Sequence, residues 1–254
     1  MLISLASAKG APGTTTSAHV LAAVWPGPVL LADADPAGSD LLYRLRTDNG
    51  LPLDAERGLL SLAAAVRNNP NAAIEEHITV VDGGLDVLLG MPRPEQAAAI
   101  ASSWGAVATR LRTARDVLCD TGRLVPGSPS LPIAMSSDLL LLVSNSGKTL
   151  ELIELVDLAR GLVPDIPFIL ITSDPQSELA RRATLCLPTG APREVCSLGL
   201  TPTTSTTVMT VIGDVLVVGT MDRIGFTTTD YAKRHHGGYL GSKSRQLSGK
   251  EAGA

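Results

Sequence analysis

Two turns rich in glycine and hydroxyl side chains are the segments of this 254-residue chain whose residue types could do chemistry. The first covers residues 9–16 (KGAPGTTT) and the second covers residues 144–149 (SNSGKT). Each turn follows a short apolar run and precedes a segment with the composition of a helix. Free backbone N–H groups at such a strand-to-helix turn, together with the positive end of the helix, can bind a phosphate group. Both turns are therefore candidate phosphate sites, with the alternative that their small residues only shape the turn and cap the helix.

The first turn has the glycine spacing of a P-loop, but Thr14 stands where a P-loop has its lysine. With Lys9 at its start, the turn resembles the deviant Walker A motif of ParA/MinD-type ATPases, and the resemblance extends over residues 1–143. It implies a nucleotide site with residues from the turn and from the ends of later strands: Lys9, Gly10, Gly13, Thr14, Thr15, Thr16, Asp33 and Asp120. Because the missing lysine would contact the transferred phosphate, we expect hydrolysis to be severely impaired. Each of these residues also has a purely structural interpretation. The six residues of the turn would then only shape a tight strand-to-helix connection, and the two aspartates would be helix caps.

The second turn begins a longer resemblance. From residue 144 to about residue 241 the chain resembles the SIS domain, most closely that of arabinose-5-phosphate isomerases. The matching segments are 144–149, 171–172, 177–181, 193–207, 213–214, 223–226 and 235–241. The resemblance implies a sugar-phosphate site formed by side chains of two segments: Ser144, Asn145, Ser146, Thr149, Thr203, Thr204, Ser205 and Thr206. It also implies catalytic roles for Glu151, Glu194 and His235.

Aldose–ketose isomerisation needs a base that moves a proton between adjacent carbons, a group that assists ring opening and an anchor for the phosphate. Without their motifs, the three catalytic candidates would be an exposed helix carboxylate (Glu151), a loop charge (Glu194) and a helix C-cap (His235). The family also uses a lysine in the N-terminal half of the SIS domain. That half is absent here, and Lys148 stands where the family has glutamate. We therefore expect a sugar-phosphate-binding protein with at most weak isomerase activity on arabinose 5-phosphate or ribulose 5-phosphate.

Two other functions stay open: a degenerate ParA/MinD-like nucleotide-binding protein, and a chimeric fold without catalytic activity. The two resemblances divide the chain into a ParA/MinD-like segment (1–143), the C-terminal half of an SIS domain (144–241) and a tail predicted to be disordered (242–254). We interpret the junction as a natural or engineered recombination between two related folds, with the crossover near residues 139–144. This hypothesis predicts one continuous sheet rather than two separately packed sheets.

An alternation of apolar runs and longer Ala- and Leu-rich segments must position the two turns. The runs predict strands at 2–5, 29–32, 85–89, 117–119, 139–143, 168–171 and 184–187, and the longer segments predict helices at 15–24, 59–67, 94–112, 149–162, 177–183 and 205–223. This order predicts the α/β class, a three-layer α/β/α fold with a mainly parallel, doubly wound sheet. Ligands of such sheets bind beyond the carboxyl ends of the strands.

The composition restricts the partners. With 21 Lys and Arg against 25 Asp and Glu, the chain lacks the excess of positive charge that nucleic acids attract. Its longest aliphatic run, 139–143, is far shorter than the ~20 residues that cross a bilayer. Three cysteines without a Cys-x-x-Cys pair favour a reducing cytoplasm. We therefore expect no nucleic acid, membrane, metal or cofactor, a small sugar phosphate as ligand and, from the SIS resemblance, a homo-oligomer.

Overall fold

The computed structural model describes residues 1–7, 13–234 and 238–251. Its strands are β1 (Leu2–Ser7), β2 (Val29–Asp33), β3 (Thr79–Val81), β4 (Leu85–Leu88), β5 (Asp116–Arg123), β6 (Leu139–Val143), β7 (Phe168–Thr172) and β8 (Leu185–Pro188). Its α-helices are α1 (Thr14–Ala23), α2 (Leu41–Arg44), α3 (Leu59–Asn68), α4 (Glu95–Ala99), α5 (Trp104–Thr113), α6 (Leu131–Met135), α7 (Leu150–Leu162), α8 (Glu178–Arg182), α9 (Thr204–Ile224), α10 (Thr228–Arg234) and α11 (Gly238–Glu251).

The strands form a single sheet in the order β3-β4-β2-β5-β1-β6-β7-β8. Neighbouring strands are parallel, except that β3 pairs antiparallel with β4 at one edge. Strand β1 lies between β5 and β6, with Ile3 opposite Leu139 and Ser7 opposite Val143. The sheet therefore continues across the proposed crossover near residues 139–144, as the chimera hypothesis requires.

Helices cover both faces of this sheet. Every residue of β1 and β2 is buried, which explains why these segments are uninterrupted apolar runs. Side chains of β1 alternate between the faces: Leu2 and Ala6 pack towards α3, α5, α6, α7 and α8, whereas Ile3 and Leu5 pack towards α1, α2 and α9. The predicted three-layer α/β/α fold is confirmed.

Helix α9 runs beside α1 in the same direction. A Cβ placed on Gly13 would lie 3.4 Å from Oγ1 of Thr210, and one placed on Gly213 would lie 2.6 Å from Oγ of Ser17. Helix α1 starts at the carboxyl edge of the sheet, which is the edge where the parallel strands end. The N-terminus of α9 therefore lies at that edge too, and its 21 residues extend about 32 Å towards the opposite edge.

Helix α9 also stands out by composition. Among the described residues it is the one helix whose length and apolar composition would suffice to cross a membrane. Here it packs along α1 through Met209, Gly213 and Val217, which are buried, while its other faces are largely exposed.

Three sequence-based expectations differ from the structure. The short edge strand β3 was not predicted, because three residues carry too little periodicity to indicate a strand. The helix expected over 94–112 is two helices, α4 and α5, separated by a 3₁₀ turn at Ala101–Ser103. The tail expected to be disordered from residue 242 instead belongs to α11, in which Ser244 is buried and Leu247 packs beside Met221 and Tyr231. Residues 252–254 lie outside the described residues.

Candidate functional site

The turn that connects β6 to α7 holds its hydroxyl groups by contacts within the turn. The hydroxyl oxygens of Ser144 and Thr149 are 3.0 Å apart, and the N–H of Gly147 donates to Oγ of Ser144 at 3.2 Å. The N–H of Lys148 donates to Oγ of Ser146 at 3.2 Å. These contacts keep the three hydroxyl groups within the turn that precedes α7. Together these groups form a small polar surface at the carboxyl edge.

Glycine is required in this turn. Gly147 has φ +59°, and a Cβ at this position would lie 2.0 Å from Oγ of Ser177, the N-cap of α8. The carbonyl oxygen of Asn145 accepts hydrogen bonds from the hydroxyl groups of Thr172 (3.0 Å) and Ser173 (2.7 Å). These contacts fix the turn against the end of β7, so the candidate residues Ser144, Asn145, Ser146 and Thr149 do lie together.

The charge of Lys148 is already paired. Its Nζ lies 2.9 Å from a carboxylate oxygen of Asp174, and this hydrogen bond, with a second from the N–H of Gln176, lowers the pKa of Asp174. Lys148 remains largely exposed. A phosphate at the 144–149 turn would therefore compete with Asp174 for this ammonium group.

The second candidate segment, 203–206, surrounds the N-terminus of α9, and Glu194 binds there. One oxygen of Glu194, Oε2, accepts hydrogen bonds from the N–H (2.8 Å) and hydroxyl (2.7 Å) of Thr203 and from the N–H of Ser205 (3.3 Å). Hydrogen bonds from the Ser205 and Thr203 side chains lower the pKa of Glu194 to about 2. Such a carboxylate is ionised at neutral pH and is a weak base. The hydroxyl of Thr206 donates to the carbonyl of Thr203, and the hydroxyl of Thr204 is buried without a hydrogen-bond partner.

The structure does not gather the described catalytic candidates on one face. Glu151 is half-buried in the first turn of α7, on the face of the sheet opposite to α9 and Glu194. His235 lies outside the described residues. The helices that flank it, α10 and α11, pack beside Met221, about 27 Å along α9 from Thr203. The two phosphate-site segments thus share the carboxyl edge of the sheet, on its opposite faces.

A separate acidic cavity lies next to the start of α1. Asp33 and Asp120 are directly opposite each other on β2 and β5. The cavity has a volume of about 160 Å³ and is lined by Thr15, Asp33, Asp35, Ala37, Gly38, Asp40 and Asp120. Thr14 is buried and Thr16 is exposed, whereas Lys9 and Gly10 lie outside the described residues. Of the predicted nucleotide-site residues, Thr15 and the two aspartates are therefore brought together.

Burial dominates the electrostatics of this cavity. It raises the pKa of Asp33 from 3.8 to about 7, with a further increase from the nearby charge of Asp120. The same cause raises the pKa of Asp120 to about 6. One oxygen of Asp120, Oδ2, is buried without a hydrogen-bond partner, while Oδ1 accepts from the N–H of Gly122. In the part of the chain that the structure describes, no group of three or more His, Cys, Asp or Glu side chains is arranged to hold a metal ion.

The sequence reasoning missed several residues that shape these sites. Ser39 donates a hydrogen bond to Asp33 at 2.5 Å. Gly122 has φ +63° and lies against the carboxylate of Asp35. A Cβ at position 122 would lie 2.1 Å from Cγ of Asp35, so a larger residue would overlap this carboxylate. Asp174 is the counter-ion of Lys148. The glycine two residues after Asp120 was a visible signal, whereas the contacts of Ser39 and Asp174 depend on tertiary structure.

Comparison with known proteins supports both resemblances. The SIS domain family matches residues 128–219. Arabinose 5-phosphate isomerase KdsD of Salmonella typhi is 41% identical over 113 residues, which are 44% of this chain and 34% of that protein. The Pseudomonas aeruginosa protein of the same name is 42% identical over 106 residues, 42% of this chain and 32% of that protein. The chain thus spans about a third of the length of the curated relatives it matches.

Solved structures resemble about two thirds to three quarters of this chain. A plasmid partition protein from Borrelia burgdorferi has a TM-score of 0.53 and 23% identity, over 67% of this chain and 78% of that one. The septum site-determining protein MinD from Pyrococcus horikoshii, complexed with Mg-ADP, has a TM-score of 0.50 and 18% identity, over 74% and 80%. At such identities the likeness concerns the fold alone. The chain therefore combines SIS-domain sequence over residues 128–219 with a three-layer fold similar to that of ParA/MinD ATPases.

Proposed function

We propose that this protein binds a small sugar phosphate at the carboxyl edge of its sheet. The observation that carries the proposal is the 144–149 turn, which lies within the SIS-domain match and combines hydroxyl groups, backbone N–H groups and the N-terminus of α7. Lys148 adds a positive charge next to these donors. A phosphate dianion is favoured at such a position because its oxygens accept several charge-assisted hydrogen bonds.

The ligand we propose is arabinose 5-phosphate or ribulose 5-phosphate, the pair that an arabinose-5-phosphate isomerase would interconvert. In this proposal Ser144, Asn145, Ser146 and Thr149 bind the phosphate. A second set at the N-terminus of α9 contacts the sugar phosphate from the other face of the sheet: Thr203, Thr204, Ser205 and Thr206. Residues Glu151, Glu194 and His235 are the proposed acid–base groups. We expect weak isomerase activity at most, since Glu194 is a weak base and lies on the opposite face from Glu151.

Binding is tested by the change in melting temperature with arabinose 5-phosphate, with free arabinose as the ligand lacking the phosphate. A ligand that binds only the folded state at ten times its Kd stabilises that state by about 1.4 kcal/mol. Ser144→Ala should reduce the effect of arabinose 5-phosphate. Ser136→Ala is the matched control, because its hydroxyl donates only to the carbonyl of Pro132. An equal response to both sugars, or an unchanged response in Ser144→Ala, would contradict the proposed site.

Isomerase activity requires its own measurement. Exchange of the hydrogen at C2 of the sugar with deuterium from the solvent reports proton abstraction even when turnover is slow. We expect slow exchange that decreases in Glu194→Gln and in His235→Ala. Exchange that both variants leave unaltered would refute the acid–base roles while leaving phosphate binding in place.

A second candidate function, nucleotide binding, is favoured by the acidic cavity near Thr15. Its support is the buried, unpartnered oxygen of Asp120 in a cavity at the start of α1. ATP with magnesium should then raise the melting temperature, and Thr15→Ala should reduce the effect. If neither ATP nor arabinose 5-phosphate stabilises the fold, the result favours the remaining alternative, a chimeric fold without catalytic activity. A homo-oligomer and a reducing cytoplasmic location, which suits three unpaired cysteines, complete the proposal.

A further inference from the structure

A cavity with a mainly apolar lining lies between the end of α9 and the two helices that follow it, and we call it the C-terminal cavity. Its volume is about 270 Å³, close to the lower limit of ~300 Å³ for small-molecule sites. Five apolar or aromatic side chains line it: Met221, Phe226, Tyr231, Leu240 and Leu247. Met221 lies about 27 Å along α9 from Thr203. Binding in this cavity is therefore independent of the proposed sugar-phosphate site.

The end of α9 and the start of α10 form one wall of the C-terminal cavity. Gly225 has φ +65°, which reverses the chain so that the N–H of Phe226 donates to the carbonyl of Met221 at 2.9 Å. Thr227 and Asp230 exchange hydrogen bonds at the start of α10. Both helix ends are capped by groups of the chain itself, so this wall is formed without a ligand.

One face of α11 forms the opposite wall. Leu240, Lys243, Ser244 and Leu247 line the cavity, and their spacing of three, one and three residues places them on one side of a helix. Ser244 is buried, and its hydroxyl donates to the carbonyl of Gly241 at 3.1 Å. This small side chain in the middle of the face leaves the space between the walls unfilled. The apolar lining there lacks dispersion partners, which the carbon atoms of a ligand would supply.

A positive charge lies at the rim of the C-terminal cavity. None of the ion pairs among the described residues includes Lys243, whose Nζ lies 5.6 Å from the centre of the exposed Tyr239 ring. Residues 225–251 contain five Lys and Arg against two Asp and Glu, whereas the whole chain has a net charge of -4. The charge of Lys243 therefore favours a ligand with an anionic group at the rim.

We propose that the C-terminal cavity binds a small carboxylate with an apolar tail, whose carbon atoms contact Met221, Phe226 and Leu247 and whose anionic group lies beside the ammonium group of Lys243. A tail of about eight carbon atoms fits the volume, at roughly 30 Å³ for each water-sized group. A sugar would leave its hydroxyl groups without partners against the apolar lining.

The size of the opening favours a small molecule over a protein partner. Leu240 and Leu247 are the apolar side chains of α11 at this cavity, and they are 50% and 40% exposed. Two half-exposed leucines provide far less than the ~800 Å² that each partner buries in a stable protein–protein interface.

Octanoate, below its micellar concentration, is the probe, and the methyl resonances of the methionines are the signal. The full chain has five methionines, of which Met221 lines the cavity and Met91 is buried in a different part of the core. With ¹³C-labelled methionine methyl groups, we expect octanoate to shift the resonance of Met221 and to leave that of Met91 unchanged. Butanoate has four methylene groups fewer and should bind at least about tenfold more weakly.

Two substitutions test the two parts of the ligand. Lys243→Gln should weaken octanoate binding about two- to fivefold and leave the binding of uncharged 1-octanol unchanged. Lys233→Gln is the matched control, because it removes the same charge from α10 at a side chain that pairs with Asp230 and does not line the cavity. Ser244→Leu fills the cavity and should abolish the shift of Met221, and far-ultraviolet circular dichroism shows whether its helices stay folded.

Several results would overturn the proposal. These are equal shifts of Met91 and Met221, equal octanoate affinities of Lys243→Gln and Lys233→Gln, and unaltered octanoate binding by a folded Ser244→Leu protein. A Met221 resonance that moves with protein concentration in the absence of octanoate would show that a second copy of the chain covers the cavity. A Met221 resonance that responds to phosphatidylglycerol vesicles but not to octanoate would assign the surface to a membrane, and either finding would replace the small carboxylate.

Discussion

Replacing Asp33 by asparagine should make the protein more stable at high pH. Asp33 is 1% exposed, and burial raises its pKa from 3.8 to about 7. Because the folded state holds the proton of Asp33 more tightly than the unfolded state does, protonation stabilises the fold. This contribution to the unfolding free energy is complete below about pH 4 and is lost as the pH rises through about 7. Between these values the unmodified protein loses about 1.4 kcal/mol of unfolding free energy for each pH unit, about 4 kcal/mol in all.

Asparagine carries no charge and avoids this loss. It also has one acceptor oxygen where Asp33 accepts from both Ser39 and the N–H of Asp35, so one hydrogen bond worth about 1 kcal/mol is forfeited. Asp33→Asn should therefore be slightly less stable than the unmodified chain at pH 4 and about 3 kcal/mol more stable at pH 8. Asp120, whose pKa rises to about 6, still ionises in both proteins.

Urea denaturation at half-unit intervals from pH 4 to pH 8.5 measures this difference, with the fluorescence of the buried Trp104 as the signal. Asp165→Asn, at an exposed position on the loop before β7, is the control for loss of an aspartate. A stability difference between Asp33→Asn and the unmodified chain that does not change with pH would refute the reasoning, since it would mean that Asp33 ionises without a burial cost.

Three further substitutions test the packing that positions the sites, and each is measured by urea denaturation. Gly122→Ala should destabilise by about 1–3 kcal/mol or more, because φ is +63° and the new Cβ would overlap the Asp35 carboxylate; a neutral effect would disprove this close approach. Phe168→Ala should cost about 3–5 kcal/mol, since its side chain is fully buried between β7 and α7, and a loss below 1 kcal/mol would show that α7 is not packed there. Ser177→Ala should cost about 1 kcal/mol through loss of the N-cap of α8, with Ser136→Ala as the control that should lose less.

The recognition of the second half depended on motifs that are local in sequence. The 144–149 turn, the segment 193–207 and the histidine at 235 are each short and ordered along the chain, so the SIS resemblance could be stated without a structure. The start of the match at residue 128 was not predicted. Residues 128–143 include α6 and β6, whose apolar residues suit either family and so carry no specific signal.

The contacts of Glu194 are an example of what such motifs cannot predict. Its position in the motif 193–200 predicts a catalytic carboxylate, and this role stays a prediction. What the motif does not predict is that the carboxylate accepts hydrogen bonds from Thr203 and Ser205. Nothing in the residues between 194 and 203 indicates that the loop returns to the start of α9. A loop without periodicity can adopt many paths, and the selected path depends on which donors lie within reach after folding.

The class of fold was determined by the sequence alone. Parallel strands that are buried on both faces need apolar side chains throughout, and the helices between them must be long enough to cross back over the sheet. The alternation of apolar runs and longer segments along the chain therefore predicts which segments are strands and which are helices. That alternation also predicts that strand-to-helix turns meet at one edge. The order of the strands is different in kind, because it depends on pairings between residues as distant as Leu2 and Val117. Only this order brings Asp33 beside Asp120 at one cavity, and only the packing of α7 and α9 on opposite faces separates Glu151 from Glu194.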